Sequence, residues 1–496
     1  MRRKSAYATL AGSTATTMVA ALQSFVLLPL YLSIIGPRLY GAWLATGEVF
    51  VWLLAFDFGI PNLMIQRVGA FLARDEKDKI GPHFATSMLS LFVVGVAVCS
   101  AVGVGAPLVA ALFGIVGPEA PALVLALRVG VVAVGVMLLS YGFIGLARGL
   151  QDTALVHMMA FVGALIGFGV TAVCLFLGFG LTSIAIGLVV RAVVALIGGV
   201  YFYFHRVDRE VRSSIYVSGE AFVDIRKNCP AMFAAGIGYA LMNNSMVTIA
   251  ALAFNPVTAT VLGVTRKAAD LVRGVLDMIG HASYGGFAHL SAEGERRRMA
   301  SVYRELDATF FGVAVALLAA YVAANPSLIA AWVGTKMYGG AALTIALALS
   351  TGLSSWSYMQ VGLYRSMGHH SQASNALLIE CGVRLALMVG FALLLGPDGL
   401  PLGVIATSSV VGLWASSRIK RETEEDHVPN TVWVWRVLPL VAAAIVCLLG
   451  PLGGWSPAIG AGVTFCLLTA ALMVGVDPAL LGYRRSLRRR IMRGEA

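Results

Sequence analysis

Residues 84–114 read FATSMLSLFVVGVAVCSAVGVGAPLVAALFG and contain no charged side chain. This run is longer than the ~20 apolar residues that a helix needs to cross a hydrocarbon core of about 30 Å. Because lipid offers no water to the backbone amides, such a run satisfies its hydrogen bonds as a helix. Strand-type alternation of polar and apolar residues is absent from the chain. The stretch therefore predicts a membrane-spanning helix.

The composition extends this prediction to the whole chain. Its 496 residues are 58% apolar and 12% charged, whereas soluble domains average about 25% charged residues. The mean hydropathy is +0.83. The longest polar segment, residues 205–228, is too short to fold as a separate domain. We therefore expect an all-α polytopic membrane protein whose function resides in the membrane or at its faces.

Gly and Pro mark many of the breaks between apolar runs and divide the chain into fourteen predicted spans. The first run follows three basic residues and could be read as a cleaved signal peptide, but it is too long for the apolar core of one, which favours an uncleaved span. The predicted spans lie near residues 8–34, 42–65, 84–114, 121–147, 153–177, 181–204, 230–254, 257–286, 306–332, 341–364, 373–395, 400–416, 431–449 and 457–476.

The distribution of basic residues predicts the orientation. Of 36 Lys and Arg residues, 27 lie in both termini and the loops of one parity, whereas the opposite loops contain only Arg38 and Lys336. Basic loops stay in the cytoplasm, so we expect both termini to be cytoplasmic. The net charge of +11 then needs no nucleic-acid partner. The basic tail at 484–493 is expected to lie near anionic membrane lipids.

The rhythm of the spans repeats along the chain. A shift of 220 residues superimposes spans 1–6 on spans 7–12 and brings Asp57 onto Asp277. Six spans per half give both halves the same orientation, as in transporters that bind substrate between two lobes. Regular span lengths alone could also produce this match. The predicted organisation is an N-terminal lobe at 1–228, a C-terminal lobe at 229–420, and two extra spans with a basic tail at 421–496.

The eighth predicted span contains an unusual concentration of charge. Residues 265–277 read TRKAADLVRGVLD, and Arg266 lies about ten residues into the span, roughly midway through the membrane. The charged residues at +4, +7 and +11 from it share one helix face within about 60°. They are Asp270, Arg273 and Asp277.

This charged stripe is expected to face the protein interior or a water-filled cavity, because each charge facing lipid would cost several kcal/mol. Lys267 stands about 100° away from the stripe, and Tyr284 continues it along the helix. The arginines and aspartates could also simply neutralise each other as i,i+4 pairs. That alternative leaves Lys267 unexplained.

Other spans add deep ionisable and polar residues. The predicted cationic substrate-binding set is Arg128, Arg191, Arg266, Lys267, Arg273 and Arg384. The carboxylates expected to couple an ion or pair these charges are Asp57, Asp270, Asp277 and Glu380. If these groups converge, six cations against four acids favour an anionic ligand. The predicted polar lining is Asn243, Asn244, Tyr358 and Gln360, although such side chains also hydrogen-bond between helices.

Several other site types find no support in the sequence. The eight histidines and six cysteines have no metal-ligand spacing. The GxxxxGK[ST] motif of nucleotide-binding loops is absent. We therefore expect no metal and no cofactor. The motif GALIG at 163–167 predicts close helix packing only.

The first two spans, LLPLYLSIIGPRLYGAWLATGEVFVWLLAFDFGIPNLMIQRVG at 27–69, carry a recognisable pattern. They resemble the polysaccharide (O-antigen-type) flippase branch of the multidrug/oligosaccharidyl-lipid/polysaccharide (MOP) exporter superfamily. The matching positions are Pro29 to Leu32, Gly36, Tyr40-Gly41-Ala42-Trp43 and Asp57-Phe58-Gly59.

The resemblance implies a transporter rather than an enzyme. Such flippases move undecaprenyl-diphosphate-linked oligosaccharides from the cytoplasmic to the periplasmic leaflet of a bacterial inner membrane. The implied mechanism is alternating access between two lobes, often coupled to H⁺ or Na⁺. Cations in the cavity between the lobes would meet the diphosphate. The six intramembrane cations are candidates for this role, although none of them lies in the matching motif, whereas Asp57 does.

Three rival functions remain to be weighed. A multidrug or cation antiporter of the same superfamily would need a cavity dominated by acids, whereas the deep cations outnumber the acids here. A membrane-embedded glycan polymerase or ligase would need a sizeable periplasmic loop, and the predicted outer loops are about ten residues or shorter. A structural scaffold would leave the intramembrane charges without a function.

Overall fold

The structure is a computed structural model that describes residues 19, 22–423, 431–448, 459–467 and 469. The described residues are almost entirely helical and contain no β-strand, so the predicted all-α fold is confirmed. The predictions for the first residues of the chain and for the basic tail at 484–493 fall outside the described residues.

The described part of the chain forms sixteen named helices, α1–α16. Their bounds are α1 Leu22–Ile34, α2 Pro37–Leu54, α3 Ile60–Ala73, α4 Ile80–Leu112, α5 Ala120–Gly149, α6 Ala154–Phe176, α7 Thr182–Arg206, α8 Arg209–Ser213, α9 Gly219–Asn243, α10 Met246–Ala253, α11 Pro256–Glu293, α12 Arg296–Trp332, α13 Ala341–Ser366, α14 His370–Leu395, α15 Leu400–Thr423 and α16 Thr431–Leu448.

Seven helical segments of the described residues are long and apolar enough to cross a membrane by length and composition. The helices α11 and α13 are not among these seven, because they carry the charged stripe and a run of hydroxyl side chains. These two helices contain seven of the fourteen candidate site residues. The protein is a multi-pass membrane protein.

The described residues form two compact units, one up to Thr260 and the other from Val261 onward. In the first unit, α4, α5, α6 and α7 pack side by side. In the second unit, α13 packs on α15, α14 packs on α15, and α12 packs on α16. Helices α9 and α10 belong to the first unit, although the sequence assigned α10 and the part of α9 after residue 228 to the second lobe. The lobe boundaries at 228 and 420 stay predictions.

Two predicted spans are interrupted in the structure. The second span breaks between α2 and α3, where Phe58 (φ 52°) and Gly59 (φ 70°) are left-handed. The seventh span breaks at Asn244 and Ser245, between α9 and α10. Both breaks fall at polar side chains that can bind the freed backbone groups.

The connection between the predicted spans at 257–286 and 306–332 is mostly helical. Helix α11 continues to Glu293 and α12 begins at Arg296, so that only a short turn with Gly294 in the left-handed region (φ 70°) separates them. At 1.5 Å per residue, the 38 residues of α11 extend for about 57 Å. This helix therefore exceeds the ~30 Å hydrocarbon thickness of a bilayer.

The motif that carries the family resemblance has a packing role. A Cβ at Gly41 would overlap the carbonyl oxygen of Pro256, so α2 approaches the start of α11 backbone to backbone. The Thr260 hydroxyl donates a hydrogen bond of 2.6 Å to the carbonyl of Pro37. The GALIG motif packs closely as predicted, since a Cβ at Gly163 would lie 2.9 Å from the carbonyl oxygen of Arg191 on α7.

Candidate functional site

The charged stripe of α11 consists of two consecutive ion pairs. Arg266 Nε lies 2.8 Å from Asp270 Oδ1, and Arg273 Nε lies 3.5 Å from Asp277 Oδ2. Asp277 also accepts a hydrogen bond of 2.7 Å from the hydroxyl of Ser355 on α13. The side chains are 16% to 39% exposed. The i,i+4 pairing anticipated from the spacing is therefore present, and the pairs are only partly buried.

The exposed apolar face of α11 lies opposite the charged stripe. Leu271, Val275 and Met278 are 47–52% exposed and lie about 120–180° around the helix from Arg266. Ala269 and Leu276, in contrast, are fully buried against the rest of the second unit. The charges thus occupy the edge of the packed face, away from the side that suits lipid.

Lys267 is the cation of this stretch that forms no ion pair with the described residues. It is half-buried, and the charges of Asp270 and Arg266 act on it. Its side chain forms neither a hydrogen bond nor an ion pair with any residue that the structure describes. Since its neighbours Arg266 and Arg273 each have a carboxylate partner, the net positive charge of residues 265–277 is concentrated at Lys267.

The backbone beside Arg266 is anchored to α12. The Thr265 carbonyl accepts hydrogen bonds from Tyr321 Oη (2.9 Å) and Asn325 Nδ2 (3.3 Å). The Thr265 hydroxyl accepts a hydrogen bond of 3.0 Å from the Gly339 amide. Tyr321, Asn325 and Thr265 are all buried. These contacts fix the depth and rotation of α11 at the residue before the first ion pair.

Arg384 occupies a different environment on α14. Its side chain is 2% exposed and forms an ion pair with Glu380, which is 1% exposed. Its guanidinium also donates to the hydroxyls of Thr407 (3.2 Å) and Ser408 (2.6 Å) on α15. Both charges are enclosed between α14 and α15, so this arrangement holds the two helices together and leaves no open face of the guanidinium toward a ligand.

Arg128 donates a hydrogen bond to a backbone carbonyl that a proline leaves without its helical donor. Pro107 in α4 lacks an amide hydrogen, so the Gly103 carbonyl, four residues earlier, loses its helical donor. The Nε of Arg128 on α5 donates to this carbonyl at 3.1 Å. The side chain is otherwise exposed. We interpret Arg128 as the side chain that satisfies the broken helix bond in α4.

Arg191 is the deep cation of the first unit. It lies on α7, and its half-buried side chain forms no hydrogen bond or ion pair within the described part of the chain. Tyr141 on α5 lies near both Arg191 and Asp57. Two of the predicted site residues of this unit, Arg191 and Asp57, therefore lie near the same tyrosine.

Asp57 has a clear local role. Its Oδ1 accepts a hydrogen bond of 2.7 Å from the amide of Gly59, which closes the turn between α2 and α3. A Cβ at Gly59 would overlap Met232 on α9. Phe58 stacks on Phe233 with 4.6 Å between the ring centroids. The Asp-Phe-Gly segment of the matching motif thus forms a helix break that α9 packs against.

The predicted polar pair of span 7 lies at the second break. Asn243 and Asn244 donate from their side chains to the carbonyls four residues earlier, at 3.0 Å and 3.2 Å. The Asn244 carbonyl accepts a hydrogen bond of 2.6 Å from the indole of Trp52. The two side-chain amides therefore donate hydrogen bonds to backbone carbonyls in the last turn of α9. The sequence had left this helix-stabilising role open beside a role in lining a cavity.

Glu48 is a polar contact at this break that the predicted site set left out. It is buried, and its Oε2 accepts from the amide (2.7 Å) and the hydroxyl (2.9 Å) of Thr248 on α10. The sequence did contain a signal for Glu48. It is a carboxylate in an apolar span, and no cation lies one helical turn away.

Gln360 is fully buried in the second unit. Its amide donates to Asp307 (3.0 Å) and accepts from the Tyr303 hydroxyl (2.9 Å), and Trp356 donates to the same oxygen of Asp307 at 3.0 Å. Gln360 therefore connects α12 and α13, and its predicted lining role stays a prediction. Sequence reasoning missed Asp307 because it lies at the edge of its span, although two donors four residues apart in α13 indicated a buried acceptor.

A third network joins the polar ends of α3, α4 and α9. Arg67 binds the Asp224 carboxylate through two nitrogens, at 2.7 Å and 2.5 Å, and His83 lies 3.4 Å from it. Burial would raise the pKa of the Asp224 carboxyl, but the hydrogen bonds and charges of Arg67 and His83 hold that pKa below its usual value. The sequence treated these residues only as loop charges.

Tyr358 lies close to the charged stripe, at one end of it. Its carbonyl accepts a hydrogen bond of 3.3 Å from the hydroxyl of Tyr284 on α11. The imidazole of His281 contacts the rings of both tyrosines, with 5.6 Å between centroids in each case. Tyr358 and Tyr284 therefore lie close together in the second unit. Along α11, the charged residues 266–277 are followed by the aromatic side chains of His281 and Tyr284.

Comparisons with known proteins agree with this architecture. The family described as "Polysaccharide biosynthesis protein" matches residues 9–284. No curated protein matches the chain. Among solved structures, the inward-facing conformation of a multidrug resistance MATE family transporter of the MOP superfamily is similar with a TM-score of 0.65 and 16% identity, over 83% of this chain and 96% of that one. An outward-facing structure gives 0.61 and 17%, over 86% and 97%.

A MOP superfamily transporter from Pyrococcus furiosus Vc1 is also similar, with a TM-score of 0.59 and 17% identity over 86% of this chain and 97% of that one. It is described as having a binding pocket of reverse polarity that suggests a different function. At these identities the solved structures establish the fold alone.

Proposed function

Because this chain belongs to the polysaccharide biosynthesis protein family of MOP superfamily transporters, we propose that it is a lipid-linked oligosaccharide flippase. Its substrate is an undecaprenyl-diphosphate-linked glycan, which it moves across the bacterial inner membrane during polysaccharide biosynthesis, including that of O-antigen and lipopolysaccharide. Both termini lie in the cytoplasm, in agreement with the distribution of Lys and Arg.

The observation that carries this proposal is a half-buried cation in each unit that forms no ion pair with the described residues. Lys267 on α11 and Arg191 on α7 are half-buried, and neither is ion-paired within the described residues. An intramembrane cation without a carboxylate is costly unless a ligand compensates it. A diphosphate supplies this compensation, because its oxygens accept several charge-assisted hydrogen bonds at once.

The arginines on the charged stripe extend this binding capacity. A guanidinium donates through a planar fork that matches phosphate oxygens, and Arg266 and Arg273 each use Nε toward an aspartate. In the proposed cycle the diphosphate competes with Asp270 and Asp277 for these donors. Arg384 and Arg128 act instead as structural residues, because their donors serve α15 and α4.

The energy source follows from the same carboxylates. H⁺ or Na⁺ binding at Asp270 or Asp277 would release the paired arginine for the diphosphate, which links substrate binding to an ion gradient. Glu380 is enclosed with Arg384, and Asp57 binds a backbone amide. They are therefore less suited to exchange an ion with water. The polyprenyl tail stays in the bilayer while the polar head group crosses.

Transport by the purified protein in proteoliposomes tests the proposal. The assay follows the transfer of a fluorescent polyprenyl-diphosphate oligosaccharide between leaflets. Lys267→Gln and Arg191→Gln should each lower the rate at least tenfold, whereas Lys267→Arg should keep most of it. Arg128→Gln serves as the matched control, since it removes a deep cation that the structure assigns to a backbone carbonyl.

A pair of variants separates charge from folding on the stripe. Arg273→Ala leaves Asp277 without its cation, whereas Arg273→Ala combined with Asp277→Ala keeps the local charge neutral. Loss of transport in both variants, with normal amounts of protein in the membrane, supports binding of an anion by Arg273. Full transport by the neutral double variant, or by both Gln variants above, would reject the cationic site.

The alternative function is an ion-coupled multidrug or cation antiporter, which the fold similarity to MATE transporters favours. Its substrates would be cations, so the uncompensated Lys267 and Arg191 would repel them. Uptake of a cationic dye into the same proteoliposomes distinguishes the two functions. Dye transport that survives Lys267→Gln, without transport of the lipid-linked oligosaccharide, would establish the antiporter instead.

A further inference from the structure

Three aromatic side chains form a group at one end of the charged stripe. His281 and Tyr284 lie on α11, and Tyr358 lies on α13. The ring of His281 meets the rings of Tyr284 and Tyr358 edge to face, at interplanar angles of 77° and 72°. His281 is exposed and both tyrosines are half-exposed. We call this group the aromatic platform.

The helix geometry aligns the platform with the ion pairs. His281 and Tyr284 follow Arg266 by fifteen and eighteen residues, which places them at about 60° and 0° around the helix from it. They therefore continue the same face of α11 that bears Arg273 and Asp277. The carboxylate of Asp277, one turn before His281, adds a hydrogen-bond acceptor beside the rings.

The ring of Tyr284 in the platform is held in place by α13. A Cβ at Gly362 on α13 would overlap the ring of Tyr284, so this ring lies directly on the backbone of the neighbouring helix. Its hydroxyl is tied to the carbonyl of Tyr358. Pre-ordered rings lose little conformational freedom when a ligand binds. The exposed imidazole and the half-exposed tyrosine ring thus offer a fixed surface rather than a mobile one.

We propose that the aromatic platform binds a pyranose ring of the glycan next to the diphosphate. Pyranoses have an apolar face of C–H groups, which the negative faces of aromatic rings attract, and a rim of hydroxyls. Asp277 accepts hydrogen bonds from those hydroxyls. This inference rests on the proposed function and adds to it the recognition of sugar, which the cations alone do not provide.

Binding measurements with two lipids test the platform separately from the cationic site. The full-length protein in nanodiscs is titrated with undecaprenyl diphosphate and with the same lipid carrying one hexopyranose, in turn of the gluco, galacto and manno configuration. The quantity of interest is the ratio of the two dissociation constants. For the wild-type protein, at least one sugar should improve binding by about threefold to tenfold.

Variants then test whether the aromatic rings cause the difference between the two dissociation constants. His281→Ala and Tyr358→Leu should each bring the ratio close to one. His289→Ala is the matched control, because it removes an exposed histidine from the same helix two turns later, and it should keep the ratio. Arg273→Gln should weaken the binding of both lipids together and keep the ratio as well.

The outcomes are distinguishable. If neither lipid binds, the proposed function fails and the platform falls with it. If the bare lipid binds and no sugar improves its affinity, the cationic site survives and the platform is overturned. In that case the rings are an aromatic anchor at the membrane interface. A ratio that survives both His281→Ala and Tyr358→Leu overturns the platform equally.

Discussion

Helices α11 and α14 both carry an arginine and a carboxylate four residues apart, but they hold these charges differently. On α14 the acid Glu380 comes first, and the pair with Arg384 is 1–2% exposed. On α11 the base comes first in both pairs, and the side chains are 16–39% exposed. On an isolated helix the acid-first order is the more favourable one.

This difference teaches that equal spacing does not mean equal function. The pair on α14 has the favourable order, no access to water and two hydroxyl partners on α15, so it stabilises the fold. The pairs on α11 have the less favourable order and partial access to water. A competing anion can therefore replace the aspartates at lower cost. Each of the following predictions compares one carboxylate with another.

The largest effect is expected at Glu380. Glu380→Gln leaves the buried guanidinium of Arg384 without a counter-charge, and breaking a buried ion pair costs about 3–5 kcal/mol. The thermal unfolding temperature in detergent should fall markedly. The double variant Glu380→Leu with Arg384→Met should recover most of this loss, because apolar residues can replace a buried pair at little cost. A double variant as unstable as Glu380→Gln would contradict the assignment.

A smaller effect is expected at Asp277. Asp277→Asn removes the charge that faces Arg273 but keeps an acceptor for the hydroxyl of Ser355. The pair is partly exposed, so the stability should fall by about 1–2 kcal/mol. Affinity for polyprenyl diphosphate should rise, because the guanidinium is released. Unfolding in detergent and lipid titration measure the two quantities. A loss as large as that for Glu380→Gln would remove the distinction between the two helices.

The contrast between α11 and α14 shows what the sequence could predict. Regular spacing predicted the pairing of Arg266, Arg273 and Arg384 with a carboxylate one turn away. It could not predict the burial of each pair, because burial depends on which helix packs across it. Thr407 and Ser408 of α15 enclose the pair on α14, and nothing in α14 itself specifies this neighbour.

The same limit explains the other differences. Arg128 looked like an intramembrane cation available to substrate, but its partner is a carbonyl that Pro107 frees in α4. The proline is visible in the sequence, whereas the approach of α5 to that carbonyl is not. Asp307 was missed because it lies where an apolar run begins. The all-α fold depends only on the length and hydropathy of the runs, so the sequence sufficed to predict it.

At Asp270 the effect on stability should be smaller still. This carboxylate is 39% exposed, and exposed pairs contribute less than about 1 kcal/mol. Asp270→Asn should therefore lower the unfolding temperature only slightly, and the difference from the wild-type protein should shrink as salt screens the pair. Unfolding at 0.05 M and 1 M salt measures this dependence. An effect independent of salt would show that the pair is enclosed in the same way as the one on α14.

The smallest effect is expected at Asp57, although this residue and Asp277 occupy matching positions of the predicted repeat. Asp57 binds the amide of Gly59 at a helix break, whereas Asp277 faces an arginine in a continuous helix. Asparagine can form the same turn. Asp57→Asn should therefore change the free energy of unfolding by less than ~0.5 kcal/mol, and Asp57→Ala should cost about 1 kcal/mol through loss of the cap.

Transport measurements with the same two variants complete the comparison. If Asp57 only forms the turn, Asp57→Asn should transport the lipid-linked oligosaccharide at close to the wild-type rate, and Asp57→Ala should be slower in proportion to its loss of stability. A stable Asp57→Asn variant that transports nothing would show that the charge itself is required. Since Asp57 and Arg191 both lie near Tyr141, ion coupling would then belong to the first unit, and the aspartates of α11 would serve only to hold their arginines.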